Sequence, residues 1–426
     1  MRLVKNLFLT TFILGTAVSL NAQHIKRCAS HEYLMAQEKQ TPGRLDFVKS
    51  LSNLPSKKTR GTLNIPVVVH VVYKNATENI SDARINAQIA MLNACFRRKN
   101  VDTTKTRTIF KPIVGGMDIQ FWLVDIKRVA TTQSSFVFDF DIWGNNQADQ
   151  VKEATYGSVA VQPDKKLNIW VCDLGLPSGM GELLGYAYPP PGLNNWPAGS
   201  AYPSQPLDGV VIDYLAFGGN GLNAQPLGSA YGLKGKTCVH EVGHYLGLRH
   251  IWGDDNGLCP GAGGEDDGVN DTPAQGDMSN NNCDTLQNTC MTANDMPDMI
   301  ENYMDYSAET CQNSFTKQQV TMMQNVLDNF RTGIRIPTGI EMPDYSTDLA
   351  FYPNPVENTL HVYTDREDLL GADLIRLNPV GHVVYKGQIK QLGDNAIQLQ
   401  GMAKGLYFAQ VLLNQQSISS QKIILK

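Results

Sequence analysis

The amino-acid sequence predicts an α+β fold, with a larger domain on a twisted sheet and a small all-β sandwich in the carboxyl-terminal part. Three observations lead to this prediction. Residues 65–73, IPVVVHVVY, are a run of β-branched side chains that is typical of a buried strand. Residues 81–96 carry apolar side chains at helical spacing. From residue 349 onward, short alternating segments are separated by Asn, Gly and Asp, as in a β-sandwich.

The amino-terminal residues predict an exported precursor. Residues 1–22 have a positive start and an apolar run too short to span a membrane, which is the pattern of a signal peptide. Residues 23–60 are polar, show no strong strand pattern and end at a basic stretch that a trypsin-like protease would cut, so we expect a pro-segment. No later stretch reaches the roughly 18 apolar residues of a membrane helix. We therefore expect no transmembrane segment, and a protein secreted or attached to the cell surface after export through the periplasm.

The larger domain is predicted over residues 61–336 and begins with the strand at 65–73. Ser81 is a suitable cap for the next helix, because its hydroxyl can accept a hydrogen bond from a free backbone N–H. Further along we expect strands at 118–125 and 167–172, a helix that carries His240 and His244, and a closing helix over 316–330. A linker containing Pro and Gly is predicted at 337–348, and the sandwich at 349–426.

Composition and charge narrow the class of protein. A hydrophobic content of 42% with 18% charged residues indicates a folded chain rather than a disordered one. The net charge of −5 is small, and no cluster of Lys and Arg is dense enough to suggest nucleic-acid binding.

Export makes disulfides permissible for the eight cysteines. Cys95, Cys172 and Cys238 lie in apolar contexts and are predicted to be buried free thiols. Four others fall in a stretch rich in Gly, Asp and Asn, where two disulfides would compensate for the scarcity of apolar side chains. Sequence alone allows three pairings of these four, which are Cys259, Cys283, Cys290 and Cys311.

The sequence HEVGHYLGLRH at residues 240–250 fits the pattern H-E-x-x-H-x-x-G-x-x-H. His240 and His244 are four residues apart, so on a helix they share one face and can hold one metal ion. Glu241 lies beside them, where it can take a proton from a metal-bound water. Gly247 can end the helix and turn the chain back, which would bring His250 round as a third ligand. Three neutral imidazoles leave a fourth position open, which is typical of a catalytic zinc.

This pattern is that of metzincin-type zinc proteases. The alternative, a helix with two surface histidines, would suit a bare HExxH, but a chance match to the whole pattern is rare. The segment NYMDY at residues 302–306 supports the zinc interpretation. Met304 is suited to lie beneath the zinc site, and Tyr306 to hydrogen-bond an oxyanion. The alternatives are a packed core methionine and a core aromatic side chain.

With these motifs, residues 61–335 resemble the pappalysin family of metzincins, and most closely its bacterial and archaeal members. The likeness rests on the zinc motif, NYMDY, IPVVVHVVY, LNIWVCDLG followed by GYAYPP, and VNDTPAQG. The tail resembles the sorting domain of type IX secretion substrates, through FYPNPV, GLY and the final KIILK. For the tail, an ordinary carbohydrate- or protein-binding sandwich is the alternative. The resemblance implies protein or peptide substrates and the type IX secretion machinery as partners.

The resemblance also implies roles for individual residues. His240, His244 and His250 would bind zinc, Glu241 would be the general base, Met304 the floor of the site, and Tyr306 would assist the transition state. The cysteine spacing resembles that of a family member, and this resemblance implies the disulfides Cys259–Cys290 and Cys283–Cys311 here. The loop between them would bind calcium, a cation that prefers hard oxygen ligands, and a solvated acidic loop is the alternative. The candidate calcium ligands are Asp267, the Asn270 carbonyl, Thr272 and Asp277.

The last two predictions concern the latency of the precursor and the specificity for the residue after the scissile bond. Cys28 stands alone in the pro-segment, and its thiolate could fill the fourth zinc position, unless it is an incidental cysteine. In the family, an Asp immediately before the last loop cysteine pairs with an arginine that follows the scissile bond. Thr310 holds that position here, and Glu309 precedes it, so we expect a weakened or broadened preference for Arg or Lys. An inactive, adhesin-like zinc-binding relative and a hydrolase of non-peptide amides are the alternative functions.

Overall fold

The larger domain is built on a five-stranded sheet. The computed structural model describes residues 25–30, 32, 62–140, 146–177, 182–189, 205–219, 232–253, 257–260, 266–291, 296–334, 349–364, 369–378, 382–413 and 416–426. The strands before residue 320 are β1 (Ile25–Lys26), β2 (Leu63–Tyr73), β3 (Val114–Gly115), β4 (Ile119–Ala130), β5 (Phe136–Val137), β6 (Leu167–Cys172), β7 (Leu174–Gly175), β8 (Glu182–Leu183), β9 (Gly185–Ala187), β10 (Val210–Asp213) and β11 (Phe315–Thr316). The order in the main sheet is β4-β2-β6-β10-β9.

The strands of the main sheet are parallel, with β9 as an antiparallel edge. Strand β2 is buried along ten of its eleven residues, as expected for a parallel strand covered on both faces. The predicted strands at 65–73 and 167–172 are confirmed. The strand predicted at 118–125 extends as β4 to Ala130, because it pairs with β2 along the whole length of that strand.

In the described part of the chain, the α-helices that accompany the sheet are α1 (Asp82–Phe96), α2 (Lys236–Tyr245) and α3 (Lys317–Asn329). The predicted cap is confirmed, since the Ser81 side chain accepts a hydrogen bond from Arg84 N. Helix α3 begins with a reciprocal capping box between Thr316 and Gln319. Short 3₁₀ helices lie at Val101–Lys105, Gln147–Lys152, Gln205–Leu207 and Thr332–Ile334.

A second, smaller sheet connects the amino-terminal segment to the larger domain. Its order is β1-β8-β7-β5, and β1 runs parallel to β8. Strand β1 was not predicted, because residues 23–60 show no strong strand pattern. A two-residue strand can form here because it adds to the existing edge of β8 rather than relying on its own propensity. The signal peptide, most of the pro-segment and the linker at 337–348 lie outside the described residues.

The carboxyl-terminal domain is the predicted all-β sandwich. Its strands are β12 (Leu349–Tyr352), β13 (Thr359–Thr364), β14 (Asp373–Leu377), β15 (Val383–Gln388), β16 (Gly393–Gln398), β17 (Gly405–Leu413) and β18 (Gln416–Leu425). Antiparallel sheets of order β12-β13-β16 and β15-β14-β17-β18 enclose a core that includes Phe351, Val362 and Val411. Within the described parts of the chain, none of the helices is long and apolar enough to cross a membrane.

Candidate active site

Helix α2 carries the first two histidines of the zinc motif on one buried face. The Nε2 atoms of His240 and His244 lie 3.0 Å apart. On the other side of each ring, Nδ1 faces a backbone carbonyl, at 2.6 Å from Tyr303 O for His240 and at 2.8 Å from Leu248 O for His244. An Nδ1–H that donates to these carbonyls leaves the Nε2 lone pairs directed at a common point.

The third histidine reaches the same point because the chain reverses at Gly247. Gly247 has φ of +92°, a left-handed conformation that favours glycine, and Leu248 N donates to Gly243 O as the helix ends. His250 Nε2 then lies 3.1 Å from Nε2 of both other histidines. The His250 ring stacks on Trp252, with the ring centroids 4.3 Å apart.

The three imidazoles fit a zinc ion. Zinc–nitrogen bonds of about 2.0–2.1 Å in tetrahedral geometry hold ligand nitrogens a little over 3 Å apart, close to the spacing of these three atoms. Burial, followed by the neighbouring His244 and His250, lowers the pKa of His240 well below its usual value, so the ring is in the neutral form that ligates metals. Cys28 Sγ joins the cluster, in which all four ligand atoms lie within 4.8 Å of one another.

Glu241 lies beside the histidines and is fully buried. Its Oε2 accepts hydrogen bonds from Ser30 Oγ at 2.9 Å and from Cys28 Sγ at 3.4 Å. Its Oε1 is buried, and no hydrogen-bond partner is found for it among the described residues. Burial is the main cause that raises the pKa of Glu241 to about 8, so this carboxyl is a stronger base than an exposed one.

Met304 and Tyr306 lie where the motif NYMDY predicts them. Met304 is fully buried beneath α2, and a Cβ added to Gly243 would come within 2.5 Å of its sulfur, so the close approach of helix and methionine requires glycine. The Tyr306 ring lies 4.8 Å from the His250 ring. The Tyr306 hydroxyl donates to the Cys28 carbonyl at 3.0 Å, so it already binds a backbone carbonyl in the cleft.

A pocket beside the metal cluster holds Arg27. Arg27 Nη1 donates to Ser307 O at 2.7 Å and to Asn281 Oδ1 at 3.0 Å, and Nη2 lies 3.8 Å from Glu309 Oε1. Thr237, His240, Tyr306 and Gln312 line the small space that remains around the guanidinium.

The pocket has Glu309 at its base, and Thr310 lies elsewhere. The Glu309 side chain is completely buried, and it accepts hydrogen bonds from Thr237 N at 2.6 Å and from Thr237 Oγ1 at 2.7 Å at the start of α2. Lys236 N also donates to it. Thr310 is exposed, and its hydroxyl lies 3.5 Å from Cys283 Sγ. The structure does not place Thr310 at this pocket. In the turn before Cys311, the side chain of Glu309 points inward and that of Thr310 is exposed.

The cysteines pair as Cys259–Cys290 and Cys283–Cys311, with Cα–Cα distances of 5.6 and 5.9 Å. These are the pairings that the resemblance implies. The thiols of Cys95, Cys172 and Cys238 are free and buried, as predicted.

Two of the four candidate calcium ligands are in direct contact. Thr272 Oγ1 donates to Asp267 Oδ1 at 3.0 Å, and Asp267 Oδ2 is buried and lacks a hydrogen-bond partner among the described residues. The side chains of Asn270 and Asp277 are exposed. The structure shows direct contact between the Asp267 and Thr272 side chains, and the full set of four ligands stays a prediction.

The sequence prediction gave Arg27 and Ser30 no role. Arg27 is separated from Glu309 by more than 280 residues, and only its charge beside a lone cysteine hinted at a contact. Ser30 Oγ contacts Glu241, 211 residues away, and nothing in the local sequence distinguishes this serine from others.

Comparisons with known proteins agree with this geometry. The peptidase M43 family model, described as pregnancy-associated plasma protein-A, matches residues 163–328, and the secretion system C-terminal sorting domain matches residues 350–426. An extracellular metalloprotease of Neurospora crassa is 28% identical over 284 residues, which are 65% of this chain and 79% of the relative.

Two solved structures are also similar. Mature mirolysin of Tannerella forsythia, in complex with a cleaved peptide, is 37% identical, with a TM-score of 0.55, over 65% of this chain and 97% of that protein. A mutant of promirolysin from the same organism is 36% identical, with a TM-score of 0.59, over 73% of this chain and 96% of the other. The chain therefore belongs to the pappalysin family of metzincin metalloendopeptidases, as an extracellular member with a secretion sorting domain.

Proposed function

We propose that the chain is made as a latent precursor of a zinc endopeptidase in which Glu241 is the general base. The observation that carries this proposal is the convergence of three histidine Nε2 atoms, 3.0–3.1 Å apart, beside a buried carboxylate. His240, His244 and His250 would hold the zinc ion. When bound, zinc lowers the pKa of a water ligand and polarises the scissile carbonyl.

The protein side chains would carry out the proton transfers and hold the developing charge. Glu241 would take the proton of the attacking water and pass it to the leaving amine, and its unpartnered Oε1 is available for that contact. Tyr306 would donate to the tetrahedral oxyanion, and its hydrogen bond to the Cys28 carbonyl supports this role.

Latency would come from the segment at residues 25–30, which engages each catalytic group. Cys28 Sγ lies in the cluster of metal ligands, and the Cys28 carbonyl accepts the Tyr306 hydrogen bond. A thiolate at this place would fill the open fourth coordination position and exclude the catalytic water. The parallel pairing of strand β1 with β8 would help to hold this segment in the cleft.

We propose that the pocket selects a basic residue after the scissile bond, and that Glu309 reads its charge. The position of Arg27 supports this: a guanidinium fills the pocket and lies 3.8 Å from the Glu309 carboxylate. A buried carboxylate attracts a cation more strongly than an exposed one, because solvent screens the charge less. This proposal replaces the expectation of a weakened preference, which was based on Thr310, with a preference for Arg or Lys after the scissile bond.

We propose a structural calcium site that includes Asp267 and Thr272. Asp267 is fully buried, and one of its carboxylate oxygens has no partner among the described residues, which suits a hard cation. Burial, then the neighbouring Asp266, raises the pKa of Asp267 well above its usual value, so its ionised form needs a positive charge nearby.

The test of the proposed function is cleavage-site profiling. The activated, zinc-loaded protein is incubated with a complex peptide library and with a panel of non-peptide amides, and the Glu241→Ala variant serves as the control. We expect cleavage of peptides before Arg or Lys by the wild type alone. No peptide cleavage by a folded, zinc-loaded wild type would favour the alternative of an inactive adhesin. Faster turnover of non-peptide amides would favour the other alternative.

A further inference from the structure

Ser30 occupies a position that the proposed zinc chemistry does not explain. Its side chain is buried, and its hydroxyl donates one hydrogen bond and accepts another. Oγ donates to Glu241 Oε2 at 2.9 Å and accepts from Ala187 N at 2.8 Å. An ionised carboxylate can only accept and a backbone N–H can only donate, so the group between them must both donate and accept, as a hydroxyl does.

Ala187 N belongs to the open edge of the main sheet. Strand β9 pairs with β10 on one side only, and the backbone of residues 25–30 covers its other side. Leu184 N donates to Lys26 O at 2.9 Å, and Ala29 N donates to Gly185 O at 3.1 Å. At Ala187 the partner is a side chain, because Ala187 N donates the next hydrogen bond of the edge to Ser30 Oγ.

We propose that Glu241 Oε2 and the Ala187 N–H form a hydroxyl-binding subsite. Its ligand is a peptide that runs parallel to β8 and carries a thiol and, two residues later, a hydroxyl. Cys28 and Ser30 of the pro-segment are that pair, and Ser30 N donates to Cys28 Sγ at 3.3 Å, which fixes their spacing. The hydroxyl holds the general base directly, whereas the thiol acts at the metal position. This inference rests on the proposed function and adds a second, metal-independent contact to it.

The experiment measures binding rather than turnover. The full-length chain is activated by limited trypsin cleavage, freed of its released pro-segment by dilution and dialysis, and loaded with zinc. A peptide of residues 27–32, labelled at its carboxyl end, is titrated against it by fluorescence anisotropy, because this peptide has no bond before an Arg or Lys that the enzyme could cut. The same peptide carrying Ser30→Ala is expected to bind roughly tenfold to a hundredfold more weakly, the usual effect of losing a hydrogen bond to a charged group. A peptide carrying Ser30→Thr keeps the hydroxyl and should recover part of the affinity.

Both peptides are then titrated against the Glu241→Ala protein. With the carboxylate removed, the penalty for Ser30→Ala should shrink to about threefold or less, because only the contact with Ala187 remains. Equal binding of the two peptides to the protein that retains Glu241 would overturn the subsite. An equally large penalty in both proteins would overturn the part assigned to Glu241.

A peptide carrying Cys28→Ala separates this inference from the proposed latency. If Cys28→Ala weakens binding and Ser30→Ala does not, the latency proposal stands and the subsite fails. If Ser30→Ala weakens binding and Cys28→Ala does not, the subsite stands without the thiol. Absence of binding by the unsubstituted peptide at millimolar concentration would overturn both.

Discussion

The guanidinium of Arg27 lies 3.8 Å from the carboxylate of Glu309, and this pair joins the pro-segment to the base of the pocket beside the metal cluster. Glu309 is also bound by backbone N–H groups at the start of α2, the helix that carries His240 and His244. One carboxylate therefore orders the beginning of the active-site helix and gives the pocket its negative charge.

Glu309→Gln should reduce cleavage before Arg. Removal of the charge should lower kcat/KM for peptides with Arg after the scissile bond by on the order of tenfold to a hundredfold, with much less effect on a neutral residue there. The measurement is the ratio of kcat/KM for matched Arg and Leu peptides, which cancels losses from misfolded protein. Thr310→Val is the control and should leave the ratio unchanged. An unaltered ratio in Glu309→Gln would mean that another group reads the charge.

Glu241→Ala should abolish hydrolysis while zinc stays bound, because all three histidine ligands are retained. Loss of the general base should lower kcat by on the order of a thousandfold or more. The checks are turnover of a fluorogenic peptide and the zinc content of the same sample. Chelation of the wild type should also abolish turnover, and added zinc should restore it. Substantial turnover in a pure, zinc-loaded Glu241→Ala sample would falsify the assignment.

Cys28→Ala should shorten the latency of the precursor. Without the thiol, water can enter the fourth coordination position, so the first cleavage should come sooner. The measurement is the lag before the appearance of activity in purified precursor at fixed concentration. Cys28→Ser is the matched variant, and should also shorten the lag, because a hydroxyl is a weaker zinc ligand than a thiolate. A lag equal to that of the wild type in both variants would remove Cys28 as the switch.

Calcium removal at fixed zinc should lower the melting temperature and increase autolysis, since an ion that binds only the folded state stabilises it. Asp267→Asn should already melt at a lower temperature in the presence of calcium, and should respond little to its removal. Asp277→Asn is the control, because Asp277 is exposed whereas Asp267 is fully buried. Identical melting of the wild type with and without calcium would rule out the site.

Deletion of residues 349–426 should stop secretion while leaving the purified catalytic domain active. The sandwich has its own core, which includes Phe351, Val362 and Val411, and no residue of the metal cluster comes from it. The measurements are the amount of protein in the culture medium and the turnover of a peptide by the purified, truncated protein. Normal secretion of the truncated protein would contradict the role of the tail as a sorting signal.

The zinc site could be predicted from sequence because its geometry is local. His240, Glu241 and His244 follow from helix periodicity, and Gly247 permits the turn that returns His250. The main strands could also be predicted, since a buried parallel strand is a continuous apolar run. Strands β9 and β10 were missed because three or four residues carry too little pattern, and β9 forms by pairing with β10.

The pocket and the pro-segment contacts could not be predicted in this way. In an irregular, disulfide-linked turn, side-chain direction has no fixed period. The sequence therefore does not show which of Glu309 and Thr310 points into the pocket. The contacts of Arg27 and Ser30 join residues more than 200 positions apart, and they depend on how the segment docks. The calcium ligands stay a prediction for the same reason, because a loop rich in Asp and Gly does not specify which oxygens converge.

The docking of residues 25–30 in the cleft has a consequence for how the proposed latency would end. The segment is held by strand pairing, by Arg27 in its pocket and by Ser30 on Glu241, and these contacts are not covalent. We expect a cut in the basic stretch at 57–61 to remove the tether but leave these contacts in place, so that the released piece stays bound as an inhibitor. Its effective concentration then falls from that of a linked segment to that of the solution. Activity should therefore appear on dilution, and a concentrated stock of the cut protein should stay inactive.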